Sequence, residues 1–206
     1  MPAADIQGLV DSHRGLGEHL SSITAGDADP GRPSLLPGWT IGHVLTHIAR
    51  NGDSMLRMLA GLPQYWKGFE SRNSDIELGA GRSWNELVDD IDATSAAVDR
   101  RMAEVADWSG TVLTTLAERP KAMLPLLRRR EVEIHRRDLG LGYHFSDMPN
   151  DYVRADERLM EMQWTARQPM GMTTLPAAVL ALPEHDRLAW LMGRLDVRGV
   201  EPAGLN

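Results

Sequence analysis

A glutamate and a histidine stand four residues apart in the segment Arg130–Leu139, which reads Arg-Glu-Val-Glu-Ile-His-Arg-Arg-Asp-Leu. On a helical wheel, Glu131, His135 and Asp138 all fall inside the apolar arc of the helix predicted here. An unpaired charge on the buried face of a helix is costly or is forced neutral. Because a metal ion is the simplest partner for a carboxylate and an imidazole one turn apart, this placement predicts a metal site.

A second pair of histidines, His43 and His47, lies on an earlier predicted helix. His47 falls at the edge of the apolar face beside Asn51, whereas His43 points further outward. A site built between two helices of a bundle then consists of His47, Glu131 and His135, with coordination positions left for water or substrate. The residues alone leave a second interpretation open, in which the same side chains hydrogen-bond to one another or to an arginine.

Composition narrows the class of protein. The chain has 206 residues, a net charge of −7 and no cysteine, so disulfides, thiolate metal sites and a thiol nucleophile of its own are excluded. The sequence has no long basic run of the kind that is typical of nucleic-acid-binding proteins. The clusters Arg128–Arg130 and Arg136–Arg137 are expected to form a solvated face. No apolar run is long enough to span a membrane, and no signal-peptide pattern is visible near the start, so a cytoplasmic location is expected.

The spacing of apolar residues predicts a mainly α fold. Four long helices are expected: Asp5–Thr24, a helix capped by Thr40 that runs to about Gly61, a helix capped by Ser83 that runs to about Ala106, and Ala122–Leu139. The connection at 62–81 is expected to be polar with a short helix near Arg72–Glu77, and Val112–Leu116 to be extended. These helices form a bundle over residues 1–148.

The remaining residues, 149–206, are predicted to form a small, shortened C-terminal α+β segment. Helices are expected at Asp151–Arg167 and Glu184–Gly193. Between them, Met172–Leu182 is short, bounded by prolines and capable of forming a strand.

Three segments resemble one known family. Ser34–Asn51, which contains Leu-Pro-Gly-Trp-Thr-Ile-Gly-His-Val-Leu-Thr-His, is similar to the opening motif of the mycothiol-dependent maleylpyruvate isomerase family, whose members are DinB-like metal-binding four-helix bundles. Arg130–Gly140 resembles the second motif of that family, and Arg72–Arg82 resembles the stretch between the two. The resemblance covers most of residues 1–150 and implies a DinB-like four-helix bundle here.

The resemblance also implies a ligand set. In the family a divalent metal, usually zinc, is held by a histidine of the first motif and by the glutamate and histidine of the second. These positions are His47, Glu131 and His135, the same residues that the helical wheel indicates. Asp138 is then expected either to orient a ligand or to pair with an arginine. Nickel, iron and manganese are also compatible with these ligands.

Mycothiol, an external low-molecular-weight thiol, is the second cofactor that the resemblance implies, and this fits the absence of cysteine. A thiol coordinated to a divalent cation is deprotonated, and the thiolate adds to the activated double bond of a small electrophile, expected to be an unsaturated carboxylic acid. The activity is then a maleylpyruvate-type cis–trans isomerase or a thiol S-transferase. Trp190–Arg194 resembles the end of the family's C-terminal domain, which makes Arg194 the predicted catalytic arginine, as a carboxylate clamp or oxyanion stabiliser.

Several expectations remain open at this stage. Asn51, one turn beyond His47, is predicted to line the cofactor pocket, with satisfaction of a backbone group as the other interpretation. One competing function is a non-catalytic metal-binding module. The other is a non-haem iron enzyme with two histidines and one carboxylate, and the predicted helical bundle argues against this second alternative. The partners expected are mycothiol and the electrophile, without nucleic acid or membrane, in a monomer or homodimer.

Overall fold

The computed structural model describes residues 2–168 and 173–205, and it confirms a mainly α fold. The chain forms two compact units, Met1–Gly142 and Tyr143–Asn206. The boundary predicted after residue 148 lies a short distance beyond the division between them. Within the described residues, no helix is both long and apolar enough to cross a bilayer.

The first unit contains five helices and one hairpin among its described residues. They are α1 (Pro2–Ser22), α2 (Ile41–Leu59), α3 (Gly68–Ala80), α4 (Trp84–Ala103), β1 (Thr111–Leu113), β2 (Glu118–Pro120) and, after a short 3-10 turn at Lys121–Met123, α5 (Leu124–Asp138). Helix α2 packs against α3, α4 and α5, and α1 packs against α4 and α5. The α2–α5 interface therefore lies inside the bundle, where the predicted ligands have to meet.

The two helices that carry the predicted ligands begin and end where local chemistry dictates. Helix α2 starts after Thr40, whose side chain accepts from the backbone N–H of His43 while the His43 ring accepts from the backbone N–H of Thr40. Helix α5 carries Pro125 in its first turn, where no backbone donor is needed. It ends before Gly140, whose positive φ of 71° favours glycine.

Two segments of the first unit differ from expectation. The short helix predicted near Arg72–Glu77 is the 13-residue helix α3, which is longer because it is held against α2 by close packing. A Cβ atom at Gly42 would overlap with the carbonyl oxygen of Ala80, and Ile76 is buried in the same interface. The extended segment predicted at Val112–Leu116 is strand β1, which ends at residue 113 and pairs antiparallel with β2.

The regular secondary structure described in the second unit is all helical. It contains α6 (Asn150–Arg167), α7 (Ala177–Leu180) and α8 (Glu184–Leu191), and α6 packs against α8 with the rings of Trp164 and Trp190 6.2 Å apart. The strand considered for Met172–Leu182 is not found from residue 173 onward, and residue 172 lies outside the described residues. Pro176 starts a helical turn instead, since its carbonyl accepts from the N–H groups of residues 179 and 180.

Candidate metal centre

Three side chains from two helices converge at one point between α2 and α5. The His47 Nε2 atom lies 2.8 Å from Glu131 Oε2 and 3.0 Å from His135 Nε2, and the last two atoms are 3.5 Å apart. One potential ligand atom from each residue falls within 4.8 Å of the others. The structure thus brings together the three residues that the sequence predicts as ligands.

The packing of the two helices explains this convergence. Ile48, next to His47, and Val132, next to Glu131, are fully buried in one apolar cluster that joins α2 to α5. The spacing of four residues then places His135 one turn beyond Glu131 on the same face. The His47 side chain is 5% exposed and that of Glu131 is 28% exposed, so the cluster is closed on the α2 side and reaches solvent at the carboxylate.

Asp138 contacts the imidazole of His135 through the ring nitrogen that is not directed at the cluster. Its Oδ2 lies 3.1 Å from Nδ1 of His135, its side chain is fully buried, and Arg137 donates to its other oxygen at 3.2 Å. An ionised carboxylate can only accept a hydrogen bond, so Nδ1 of His135 carries the proton and the lone pair of Nε2 faces the cluster. Donation from the second ring nitrogen to a carboxylate is the usual arrangement for a metal-binding histidine.

The second ring nitrogen of His47, Nδ1, contacts the guanidinium of an arginine. Nη2 of Arg72, from α3, donates to Nδ1 of His47 at 3.2 Å, and the edge of the Trp39 ring packs against the imidazole with centroids 5.6 Å apart. This contact requires Nδ1 to accept, which leaves the proton on Nε2, where it is donated to Glu131. A neutral imidazole that binds a cation through Nε2 carries its proton on Nδ1, so binding through this atom would end the Arg72 contact.

Electrostatics favour the metal-binding forms of two ligands. Burial raises the pKa of Glu131, but hydrogen bonds with His135 and His47 and the charges of both rings outweigh burial and hold that pKa well below its usual range. Burial and the neighbouring charge of His135 lower the pKa of His47 to about 4. Near neutral pH, Glu131 is therefore an anion and His47 is neutral.

The third ligand retains a proton more readily. Burial lowers the pKa of His135, but hydrogen bonds with Asp138 and Glu131 and the charges of both carboxylates outweigh it, so the pKa is raised above its usual value. A cation that binds here has to displace that proton. Two imidazole nitrogens and one carboxylate oxygen, converging from two rigid helices, form a donor set that fits a divalent transition metal.

The other predicted site residues have different surroundings. Asn51 is buried one turn beyond His47, and its Oδ1 accepts from Nη1 of Arg128 at 3.0 Å. Arg194 belongs to the second unit, and its guanidinium donates to the carbonyl of Met192 at 2.8 Å. The cofactor role of Asn51 and the catalytic role of Arg194 stay predictions.

The solvated face expected for the first arginine cluster is wrong for two of its members. Arg128 is fully buried and Arg129 is 5% exposed. Nη1 of Arg128 donates to the carbonyl of Ile48 at 2.7 Å, as well as to Asn51, so this residue ties α5 to α2 beside the cluster. A signal was present in the sequence, since Arg128 stands four residues after Leu124 in the same apolar arc as Glu131.

Most of the first unit matches one known protein family. Residues 9–140 match the family described as the mycothiol maleylpyruvate isomerase N-terminal domain. The chain belongs to this family. Family members are enzymes, and the match runs from Leu9 in α1 to Gly140 just after α5, a range that includes all three converging side chains. A search of curated proteins gives no significant match.

Solved structures show the same fold. A crystal structure of the mycothiol-dependent maleylpyruvate isomerase is 23% identical, with a TM-score of 0.80, and the match covers 94% of this chain and 90% of that one. A crystal structure of a histidine-to-alanine mutant of that isomerase matches with the same values. At this level of identity, the similarity establishes the shared architecture.

Proposed function

We propose that this protein is a divalent-metal, mycothiol-dependent enzyme that activates the external thiol for addition to an electrophilic double bond. The observation that carries the proposal is the convergence of His47, Glu131 and His135, in a member of a family named for mycothiol and maleylpyruvate. The proposed substrate is an unsaturated carboxylic acid of the maleylpyruvate type. The outcome is either cis–trans isomerisation or a stable thioether.

Three residues of the chain are proposed to bind the cation, and a fourth is proposed to orient one of them. Nε2 of His47, Nε2 of His135 and the Glu131 carboxylate are the proposed ligands, and Asp138 keeps the His135 lone pair directed at the cluster. A divalent cation bound there supplies a positive charge that converts a coordinated thiol into a thiolate near neutral pH. Zinc is the first expectation for the metal, and nickel, iron and manganese are the other members of the same ligand class.

The proposed reaction needs no nucleophile from the protein. The thiolate sulfur forms a bond to one carbon of the double bond, and the electron pair moves onto the conjugated carbonyl oxygen. The former double bond is then single and rotates, after which reversal expels the thiolate and leaves the trans product. In an S-transferase, the adduct takes a proton and leaves. Arg194 is the proposed stabiliser of the oxygen anion, and Asn51 the proposed contact of the cofactor pocket.

The test is turnover by the zinc-loaded protein with mycothiol and maleylpyruvate, followed by proton NMR for trans product and by mass spectrometry for adduct. The wild type is expected to give one of the two, and His47→Ala to give neither while retaining its helical circular dichroism. His144→Ala, which removes an exposed histidine, is the matched control and is expected to keep full turnover. Full turnover by His47→Ala would show that the ligand set is wrong.

The same preparation separates the competing functions. Metal binding without adduct or isomerisation on a panel of unsaturated acids would indicate a non-catalytic binding module. Oxygen consumption by the iron-loaded protein would indicate a non-haem iron enzyme. Family membership favours neither result, since the related isomerase uses a thiol cofactor.

A further inference from the structure

A cavity of about 160 Å³ lies between α2, α3 and the connection that joins them, in the first unit. Its wall includes three arginines, two carboxylates and one phenol ring: Arg50, Arg57, Arg72, Asp53, Asp75 and Tyr65. Since a water molecule takes up roughly 30 Å³ in the liquid, the cavity has room for about five waters, or for a carboxylate with a few carbon atoms. An arginine on this wall that has no carboxylate partner is available to an anionic ligand.

Two of the three arginines are already engaged. Arg50 pairs with Asp53 at 3.2 Å and with Asp90 through two contacts of 2.6 and 2.8 Å. Arg57 donates through Nε to the carbonyl of Pro63 at 2.9 Å. Arg50 is therefore neutralised by carboxylates, although its buried Nε has no hydrogen-bond partner among the described residues, and Arg57 has a backbone acceptor.

Arg72 differs from both, because none of its partners is a carboxylate. Its guanidinium donates to Oδ1 of Asn73 at 2.9 Å and to Nδ1 of His47 at 3.2 Å, and it lies 5.8 Å from the centre of the Trp39 ring. Among the described residues, Arg72 forms no ion pair; the nearby Asp75 is solvent-exposed. A cation is thus held on the cavity wall, beside the candidate metal centre, by neutral groups alone.

The contact with His47 is also the one that occupation of the cluster would remove. Once Nε2 of His47 is a ligand, Nδ1 carries a proton and cannot accept from Arg72. The guanidinium then needs another acceptor, and the Trp39 face restricts where it can move. Tyr65, in the same wall, is a neutral hydroxyl that is also hydrogen-bonded to Arg72. Burial and the Glu131 charge raise the pKa of Tyr65, against the charge of Arg72 and the hydrogen bonds with Ser54 and Arg72.

We propose that Arg72 is the residue that binds a carboxylate of the electrophilic substrate, in this cavity, with the Tyr65 hydroxyl as a second donor. A planar guanidinium matches a carboxylate through two parallel hydrogen bonds, which gives orientation as well as affinity. A carboxylate bound by Arg72 places the rest of a short unsaturated acid beside His47. This inference rests on the proposed function, and it assigns substrate selection to a residue of α3.

The experiment measures binding and turnover separately, with zinc-loaded protein. Maleate serves as the binding probe in isothermal titration calorimetry. Arg72→Gln is expected to weaken maleate binding about 10- to 100-fold, because a charge-assisted hydrogen bond contributes about 1.5–3 kcal/mol and 1.4 kcal/mol is tenfold. Arg72→Lys is expected to fall between the two, since it keeps the charge and loses the paired geometry. Arg14→Gln, which removes an exposed arginine of α1, is the matched control.

Turnover distinguishes substrate binding from an indirect effect on His47. With mycothiol, Arg72→Gln is expected to lower kcat/KM for maleylpyruvate by a similar factor and to leave addition to the uncharged dimethyl maleate within about twofold. Zinc affinity, measured against a chelator, is expected to stay within about threefold of the wild type. Equal losses on the charged and uncharged electrophiles, or a parallel loss of zinc, would assign Arg72 to positioning His47 and overturn the inference.

The two proposals fail in different ways. Absence of thiol addition to either electrophile by the wild type would remove the proposed function, while the maleate titration would still test Arg72. Equal maleate affinities of the wild type and Arg72→Gln, or no maleate binding by the wild type at millimolar concentration, would overturn the inference whether or not the protein is an active enzyme.

Discussion

Helix α5 has two faces that contact histidines, one toward α2 and one toward α1. Only the face toward α2 forms a candidate metal centre. Toward α2, Glu131 and His135 meet His47, with three potential ligand atoms within 4.8 Å of one another. Toward α1, Arg128 donates through Nε to Nε2 of His13 at 3.1 Å, and Nδ1 of that ring lies 2.8 Å from Oδ1 of Asp99.

The same arrangement recurs further along the α1 face. Arg136 donates to Nδ1 of His19 at 3.2 Å, and Nε2 of His19 contacts the carbonyl of Leu141 at 3.0 Å. Arg129 donates to the hydroxyl of Ser12, which in turn donates to Glu133. On this face, the ring nitrogen directed at α5 accepts from an arginine and the other ring nitrogen contacts an oxygen, so a cation at the α5-facing nitrogen would have to displace a guanidinium.

The difference shows what separates a candidate metal ligand from a structural histidine inside one bundle. Burial is not the criterion, since His13 and His47 are both buried. The criterion is whether the fold supplies a fixed donor to the nitrogen that faces the neighbouring helix. On the α1 face an arginine does so, whereas on the α2 face the inward nitrogens of His47 and His135 meet only each other and Glu131.

The largest expected effect separates two glutamates that stand two residues apart on α5. Glu131→Gln is expected to weaken zinc binding at least about 1000-fold, because it removes an anionic ligand and outer residues alone contribute 10- to 100-fold. Glu133→Gln, on the α1 face, is expected to leave zinc affinity within about threefold and to lower stability instead. Competition with a chromophoric chelator measures both affinities, and a similar loss in the two variants would remove the contrast between the faces.

The buried arginine gives the next largest effect, on stability. Arg128→Met is expected to lower the free energy of unfolding of the metal-free protein by about 3 kcal/mol, because His13, Asn51 and the carbonyl of Ile48 lose their donor. Burial lowers the pKa of Arg128 to about 10, so it remains charged near neutral pH. Urea unfolding measures the change, and the exposed Arg14→Met is expected to stay within about 0.5 kcal/mol. A change below about 1 kcal/mol for Arg128→Met would contradict this role.

A smaller effect, on zinc affinity, is expected from substitution of Asp138, which contacts His135. Asp138→Asn keeps the size of the side chain and removes the charge that directs His135, so zinc affinity is expected to fall about 10- to 100-fold. Asp92→Asn, an exposed substitution on α4, is the control and is expected to have no effect. An unchanged affinity for Asp138→Asn would show that the His135 lone pair is directed by helix packing alone.

The smallest effect is a pH dependence on the α1 face. Burial and the charge of Arg128 lower the pKa of His13 below 6.5, although Asp99 opposes them, so the unfolded chain binds more protons than the folded one in the interval between the two pKa values. The contribution of His13 is present above about pH 6.5 and is lost as the pH falls below it. His13→Gln is expected to flatten the decline in metal-free stability between pH 7 and pH 5, measured by urea unfolding. A parallel decline in both proteins would contradict this assignment.

Much of the site could be anticipated because helical periodicity is a local property. The spacing of Glu131, His135 and Asp138 on one face follows from 3.6 residues per turn, whatever the rest of the chain does. His47 was predicted by the same reasoning together with the family motif. The start of α2 at Thr40 and of α4 at Ser83 also depends on neighbouring residues alone, and both caps are present.

Other features depended on contacts that no local pattern records. The length of α3 follows from its packing against Gly42, and Arg72 enters the site only because α3 lies across α2. The burial of Arg128 was missed because clustered arginines usually face solvent, and its partners on α1 and α2 are distant in the sequence.

Which side chains each helix presents on a common face follows from the local sequence, since it depends only on helical geometry and capping. Which of those faces meet follows instead from tertiary packing, because the position of α5 between α1 and α2 is a property of the whole apolar core. That packing places arginines opposite the histidines of α1 and leaves the imidazole nitrogens of the α2 face directed at a shared point. The absence of an arginine donor at that point among the described residues, rather than the presence of histidine, is what makes it a candidate metal centre.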